Sequence, residues 1–547
     1  MKLKLKGFMN ASPLLKQRQQ APILLPKLLQ DINLLGFTPL EATTAKGDSK
    51  QISKLFPHLY GACVLKGSAL PSSPARPLKV GVVLSGGQAA GGHNVICGLF
   101  DACKKFHQDS RIYGFLSGPA GVIQGKFKEL EKKELDVYRN TGGFDWIGSG
   151  RDKIETPEQL ASSADVLQRL ELDGLVIVGG DDSNTNAAVL AEYCKTHQIP
   201  TKIIGVPKTI DGDLQNPWVE ISFGFDTACR TYSEMIGNIA KDALSAKKYT
   251  HFIKLMGRSA SHIALECALH IHPNLTFISE EASALGWTLQ DITHQIADLI
   301  IQRNQQGKSF AVILIPEGLI EAVQEMSYLI KQLNTLLAQS KGQMSSEELL
   351  QRIEKSLDAT ALKTFNFLPS SIQKQLLLER DPHGNVQVAH IETEKLLIDT
   401  VKKELKQRAF QGKFSPVAHF FGYEGRAGFP TFFDAHYTYS LGYTAACLIK
   451  EGYTGYMAAI SDLLAPVDRW QPMAVPLTSL MHLEERKGVA KPVIEKALVD
   501  LESQAFKTFK SRRATWVLHE DYGYPGPIQY YGDPSVSQQT PIILQLK

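Results

Sequence analysis

Short, uninterrupted apolar runs recur along the middle of the chain. Each is closed by a polar, glycine-bearing loop and followed by a window of helical length. The first is Lys79–Ser85 (KVGVVLS), with glycines behind it and a predicted helix from His93 to about Phe106. Gly174–Val178 (GLVIV) is the second, leading through a polar loop into a predicted helix over Asn184–His197. Lys202–Val206, Phe252–Met256, Phe310–Ile315 and Val417–Phe421 continue the series. Strands that are apolar throughout, instead of alternating, are buried on both faces. With helices between them they predict an α/β fold built on parallel-type sheets.

Two stretches break this rhythm. Between Leu319 and about Phe414 the apolar runs give way to charged amphipathic helices, read as a helical insertion at 319–414. Ser345 and Glu348 have the spacing of a capping box, Asp381–Gly384 (DPHG) reads as a turn, and Glu392–Lys406 as a helix. Residues 1–77 read as an N-terminal extension and linker, ending in Pro71-Ser-Ser-Pro74-Ala-Arg-Pro77, which cannot continue a helix. Asp521–Pro534, rich in Gly, Pro and Tyr, is expected to be irregular and packed through its tyrosines.

Composition narrows the class. The 547 residues suffice for three or four domain-sized units, or for two large domains with insertions. With 43% hydrophobic and 21% charged residues the chain has ordinary globular material, so disorder and collagen are excluded. Lys and Arg total 59 against 56 Asp and Glu, a net charge of +3 that gives no support to nucleic-acid or membrane-surface binding. The seven cysteines lack CxxC spacing and read as reduced thiols. No signal-peptide core or bilayer-length apolar run is visible. A soluble, cytoplasmic protein is expected.

Ligands of open parallel sheets bind beyond the carboxyl ends of the strands, so the loops after the apolar runs carry the candidate chemistry. Gly86–Asn94 (GGQAAGGHN) has glycines that let backbone N–H groups close on a phosphate, ahead of a helix N-terminus. It is neither a Walker loop nor a GxGxxG fingerprint, and by itself equally fits a ligand-free turn. Gly179–Asn186 (GGDDSNTN) offers carboxylates for a divalent cation, beyond what a helix cap needs. In Pro207–Asp213 (PKTIDGD), an extended loop would put Asp211 and Asp213 on one side, about 6.5–7 Å apart, one as a proton acceptor. Lys208 and Thr209 add an ammonium and a hydroxyl. Weaker singly are Arg151, Met256-Gly257-Arg258, Glu317, and Tyr423-Glu424-Gly425-Arg426, all at or near strand ends. Arginines bind phosphate bidentately and a glutamate accepts from sugar hydroxyls, so the set points to phosphoryl transfer onto a phosphorylated polyol.

Taken in order, GGQAAGGHN, GGDDSNTNA, PKTIDGD, MGR, PEG and GYEGR resemble the phosphofructokinase family, in particular its long pyrophosphate-dependent branch, over most of residues 78–547. The resemblance implies two Rossmann-like lobes with the site between them. The donor and magnesium lobe would be 78–220, the sugar-phosphate lobe 221–434, and 435–547 would return to pack on the first. It implies that Gly87 binds phosphate, Asp181 holds Mg²⁺, Asp211 is the general base, and Thr209 and Asp213 lie near the reacting hydroxyl. Met256, Gly257, Arg258, Glu317, Tyr423, Glu424, Gly425 and Arg426 would form the fructose 6-phosphate pocket. Arg151 would lie near the transferring phosphate. Lys248 and Tyr249 would reach the sugar of a neighbouring subunit, implying a homodimer or higher oligomer.

ATP-using relatives have glycine where Asp182 and Lys208 stand. Asp182 would fill and repel the space of a nucleotide's α-phosphate, and Lys208 would add positive charge for a leaving phosphate that has no nucleoside to orient it. Both favour pyrophosphate. The chain departs from the family pattern at Ala90, where proline is usual; a slightly looser loop without loss of activity is expected. The alternatives are an ATP-dependent phosphofructokinase or related kinase, and a non-catalytic regulatory subunit.

Overall fold

The computed structural model describes residues 18–71, 73–338, 346–377, 386, 390–486, 489–523 and 540–547. In chain order its strands are β1 (Leu35–Ala42), β2 (Cys63–Ala69), β3 (Lys79–Leu84), β4 (Arg111–Phe115), β5 (Phe127–Glu129), β6 (Gly174–Gly179), β7 (Lys202–Pro207) and β8 (Tyr249–Leu255). They continue with β9 (Leu275–Thr276), β10 (Phe310–Pro316), β11 (Pro416–Phe421), β12 (Tyr456–Ser461), β13 (Gln471–Pro476), β14 (Met481–Arg486) and β15 (Val489–Ile494). One sheet has the order β1-β2-β13-β12-β7-β6-β3-β4-β5 and a second the order β11-β8-β10-β9; β14 and β15 form a hairpin.

The centre of the larger sheet, β12-β7-β6-β3-β4, is parallel, as is the whole second sheet. Its rims are antiparallel: β5 pairs β4, and β13, β2 and β1 extend the other edge. Successive residues of the central strands feed two different cores. Val80, Val82, Val176 and Val178 enter one cluster, Val83, Leu175 and Ile177 the other. That explains the solid apolar runs, since each strand is covered on both faces.

Within the stretch read as an N-terminal extension, β1 and β2 are part of the frame, not an appendage. β2 pairs β13 through Lys66↔Met473 and Leu65↔Ala474, and β1 then pairs β2. Breaker-rich residues around Pro71–Pro77 obscured this, because two short strands on a sheet rim carry no helix-alternating rhythm.

The insertion packs on the outer face of the second sheet. Phe252, Ile313 and Ile315 meet Met326, Leu329, Leu333, Ile353 and Phe365 of helices Gln324–Ala338, Ser346–Ser356 and Ala359–Phe367. Ile253, Leu255, Val312 and Leu314 face the opposite way, into the core shared with the larger sheet. Each such side chain contributes about 1.5–3 kcal/mol when fully buried. Ser345, the turn at Asp381–Gly384 and most of the tyrosine-rich tail lie outside the described residues; Tyr522 is buried and donates to Asn274 Oδ1 at 2.5 Å.

Two helices join the lobes: α3 (Phe225–Ala246) leaves the first, and α4 (Phe432–Lys450) returns to it. Helix α4 is buried on every side and crosses α1 (Gly92–Phe106) at two facing glycines. A Cβ on Gly98 would lie 2.2 Å from Tyr439 O, and one on Gly442 2.2 Å from Val95 O. Beside this crossing, Asn94 is fully buried and exchanges hydrogen bonds with Asn140, donating from Nδ2 at 2.9 Å and accepting its backbone N–H at 2.8 Å. Asn140 in turn donates to Arg18 O and Ala21 O. Asn94→Ala strands these buried partners, and thermal or urea unfolding should show a loss of about 3 kcal/mol. Unchanged stability would contradict that role.

The described cysteines are all free, and six of the seven are buried. No described helix is long and apolar enough to cross a membrane.

Candidate active site

The carboxyl ends of β3, β6 and β7 face those of β8, β10 and β11 across a cleft that encloses a cavity of about 310 Å³. Its first wall is the glycine loop. Gly86 holds φ +81°, in the left-handed region where side chains are disfavoured, and its N–H donates to Gly150 O at 2.8 Å. Ser149 Oγ donates to Gly86 O at 3.0 Å. These bonds fix the Gly148–Arg151 loop beside the glycines, and Arg151 lines the cavity. Gly87 lets the guanidinium of Arg426 from the opposite lobe come close: a Cβ there would sit 2.7 Å from Arg426 Nη1 and would push that side chain aside.

Helix α2 (Asp181–Thr196) forms the second wall and starts three residues earlier than its periodicity implies. Gly180 is the N-cap, so Asp181 and Asp182 occupy the first turn, where the helix dipole favours negative charge. Asn184 instead turns back and donates to Gly179 O and Gly180 O.

The PKTIDGD loop is a turn, not the extended segment expected. Ile210 and Asp211 turn the chain, Gly212 takes φ +71°, and Asp211 N donates to Thr209 Oγ1 at 3.1 Å. Glycine permits the reversal that the alternating carboxylates seemed to rule out. Lys208, Thr209, Asp211 and Asp213 still all line the cavity.

From the second lobe come Met256, Arg258, Glu317 and Arg426. Gly257, at φ +125°, donates its N–H to Glu317 Oε2 at 3.1 Å. Arg426 Nε approaches Met256 Sδ at 3.1 Å. The rest of the YEGR motif points elsewhere. Tyr423 is 71% exposed, Glu424 caps Gly422 N at 2.7 Å, and Gly425 packs on Tyr232. Lys248 and Tyr249 stand at the amino end of β8, a strand's length from the cavity.

Charge is crowded here. Lys208 is only 6% exposed, and burial, reinforced by Arg426, pushes its pKa down to about 8 against the pull of Asp211, Asp181 and Asp213. Burial, then Asp211 and Asp181, push Asp213 up to about 7. Burial, then Asp211, push Glu317 up to about 7, opposed by the Gly257 N–H and by Lys254 and Arg258.

Sequence reasoning missed two cations. Lys153 lies 3.8 Å from Asp182 Oδ1. Lys496 Nζ lies 3.5 Å from Asp181 Oδ2 and donates to Ser259 Oγ at 2.9 Å. Lys153 follows Arg151 by two residues and was within reach of a closer reading. Lys496 had no local signal, since nothing around it marks a strand-end loop. A cavity of about 1430 Å³ also opens between the insertion and the second lobe, but none of the candidate residues lines it. His262 is buried, with Nε2 3.0 Å from Ala497 O.

Two parallel-centred lobes with glycine, acidic and arginine loops meeting in the cleft define an enzyme class that moves phosphoryl groups. The chain belongs to the phosphofructokinase family, whose sequence model matches residues 79–449. It is 52% identical over 524 residues to the pyrophosphate–fructose 6-phosphate 1-phosphotransferase of Treponema pallidum (strain Nichols), covering 92% of this chain and 91% of that one. It is also 52% identical to subunit beta 1 of the Arabidopsis thaliana protein of that name, over 92% of this chain and 89% of the other. A pyrophosphate-dependent phosphofructokinase structure from Nitrosospira multiformis shares the fold at TM-score 0.53 and 18% identity, over 86% and 96% of the two chains.

Proposed function

We propose that this chain reversibly transfers a phosphoryl group from pyrophosphate to the C1 hydroxyl of fructose 6-phosphate, giving fructose 1,6-bisphosphate and phosphate. The observation that carries it is that one cavity is lined by a buried lysine, Lys208, by the Asp182 carboxylate and by Asp211. The names of the relatives support the same reaction.

In this reading Asp211 accepts the C1 hydroxyl proton as that oxygen forms its bond to phosphorus. The bridging P–O bond breaks, and the leaving phosphate takes up negative charge beside Lys208, the Gly87 backbone and Arg151. Arg258 and Arg426 grip the sugar phosphate, with Met256, Gly257, Thr209 and Asp213 shaping the rest of the pocket. Glu317 accepts from sugar hydroxyls. Catalysis is mostly positioning and electrostatics, as phosphoryl transfer demands.

Mg²⁺ fits the donor set. Asp181 lines the cavity together with Asp182, Asp211 and Asp213, carboxylate oxygens of the kind Mg²⁺ takes as ligands. Among the described residues no three His, Cys, Asp or Glu side chains form a metal cage. The ion would therefore share oxygens of the donor, the usual arrangement for Mg²⁺, and would neutralise charge on the phosphates.

A cytoplasmic homodimer or higher homo-oligomer belongs to this reading, since Lys248 and Tyr249 resemble residues that serve a neighbouring copy and stand outside their own chain's cavity. The test is a purified-protein assay in both directions with pyrophosphate and with ATP; turnover with ATP alone would overturn the reading.

The pH profile follows from the cavity's charges. Glu317 accepts with both oxygens, and most strongly, when ionised, and it loses its charge as pH falls through about 7. Lys208 must be protonated to hold phosphate and loses its charge as pH rises through about 8. A narrow bell in kcat/KM between those limbs is expected; a flat profile from pH 6 to 9 would contradict it.

A further inference from the structure

We propose that Lys496 is a second donor-binding lysine, gripping pyrophosphate from the side of the cleft away from Lys208. This rests on the pyrophosphate reading above.

Lys496 Nζ reaches Asp181 Oδ2 at 3.5 Å and Ser259 Oγ at 2.9 Å, so one ammonium links the acidic helix turn of the first lobe to the loop after Arg258 in the second. An ammonium has three N–H donors, which leaves a third for a phosphate oxygen in the cavity that Lys496 lines. Lys208 and Lys496 act on the same three carboxylates, Asp181, Asp211 and Asp213. Lys208 stands by the glycine loop, its Nζ 3.4 Å from where a Cβ on Gly86 would lie, whereas Lys496 Nζ sits between Asp181 and Ser259, so the two reach the cavity from different positions.

The backbone that follows it is pinned to both lobes. Ala497 N donates to Asp213 O at 2.7 Å, and Ala497 O meets His262 Nε2 at 3.0 Å. Val499 N donates to Glu280 Oε1 at 2.9 Å, the same oxygen that accepts from Ser261 N at 3.1 Å. Such fixing suits a group that must meet a small, rigid anion at a set position. A partly exposed ion pair kept only for stability would contribute little and would leave the kinetics alone.

The experiment uses the full chain with Lys496→Met and Lys496→Gln, the second covering failure of the first to fold. Steady-state constants for pyrophosphate and fructose 6-phosphate are measured, and methylenediphosphonate with Mg²⁺ is titrated by calorimetry. The expected result is a KM for pyrophosphate raised at least about tenfold, the loss of one charge-assisted hydrogen bond, with weaker binding of the analogue in parallel. The KM for fructose 6-phosphate stays near the parent's, and Lys496→Arg restores most of the donor affinity. Lys46→Met, which breaks the exposed pair with Glu495 at 3.4 Å, is the control and leaves both constants unchanged. Parent-like donor KM and analogue affinity in the Lys496 variants, or a rise confined to fructose 6-phosphate, overturns the proposal. If the parent protein ignores pyrophosphate, the functional reading falls and this proposal with it; if the parent uses pyrophosphate and the variants match it, only Lys496 loses its role.

Discussion

Asp211→Ala lowers kcat by about 100- to 10,000-fold, the range one positioned proton acceptor contributes. Fructose 6-phosphate should still bind nearly as well, because in the proposed reading its phosphate is held by Arg258 and Arg426, which line the cavity from the other lobe, and not by the base. Steady-state kinetics paired with calorimetric titration of the sugar phosphate separates the two quantities. Asparagine at the same position keeps the shape of the turn at Gly212 and should be as inactive, since it cannot take up the proton. Near-normal turnover of either variant would remove Asp211 as the base.

The second large effect concerns the donor. Two unit charges 4 Å apart interact by about 4 kcal/mol at an effective dielectric of 20. Lys208→Ala should therefore cost on the order of a thousandfold in kcat/KM for pyrophosphate. Asp182→Gly together with Lys208→Gly removes both the carboxylate that crowds a nucleotide's α-phosphate and the cation that steadies an inorganic leaving group. That double variant should lose pyrophosphate turnover and gain measurable use of ATP. Retention of pyrophosphate use within tenfold of the parent would show that these two side chains do not set the donor.

Much of this could be read from the chain before its structure, and the reasons are local. Strands β3, β6, β7 and β10 are apolar throughout because both faces are covered, and that run is visible without a partner strand. Chemistry gathered at the ends of those strands is found by walking one loop past each run. Other features depend on residues far apart in sequence. β1 and β2 owe their place to β13, and Lys496 owes its place to Asp181 and Ser259; neither partner leaves a mark on its neighbours. The turn at Asp211 was misjudged for a different reason: the spacing of two carboxylates was weighed above the glycine between them. In YEGR, only the arginine faces the cavity, because a short helical turn at Tyr423–Gly425 rotates the first residues outward.

The junction of β2 with β13 joins residues roughly 400 positions apart. On the ribosome, β1 and β2 are made first and their hydrogen-bonding edge is met last, after both lobes have emerged. Until then an unsealed seam runs along the frame, open to strands of other copies. Completion of the larger sheet is thus a late event that waits until β3 to β13 have been made, and a slow final phase in refolding should report the closing of that seam.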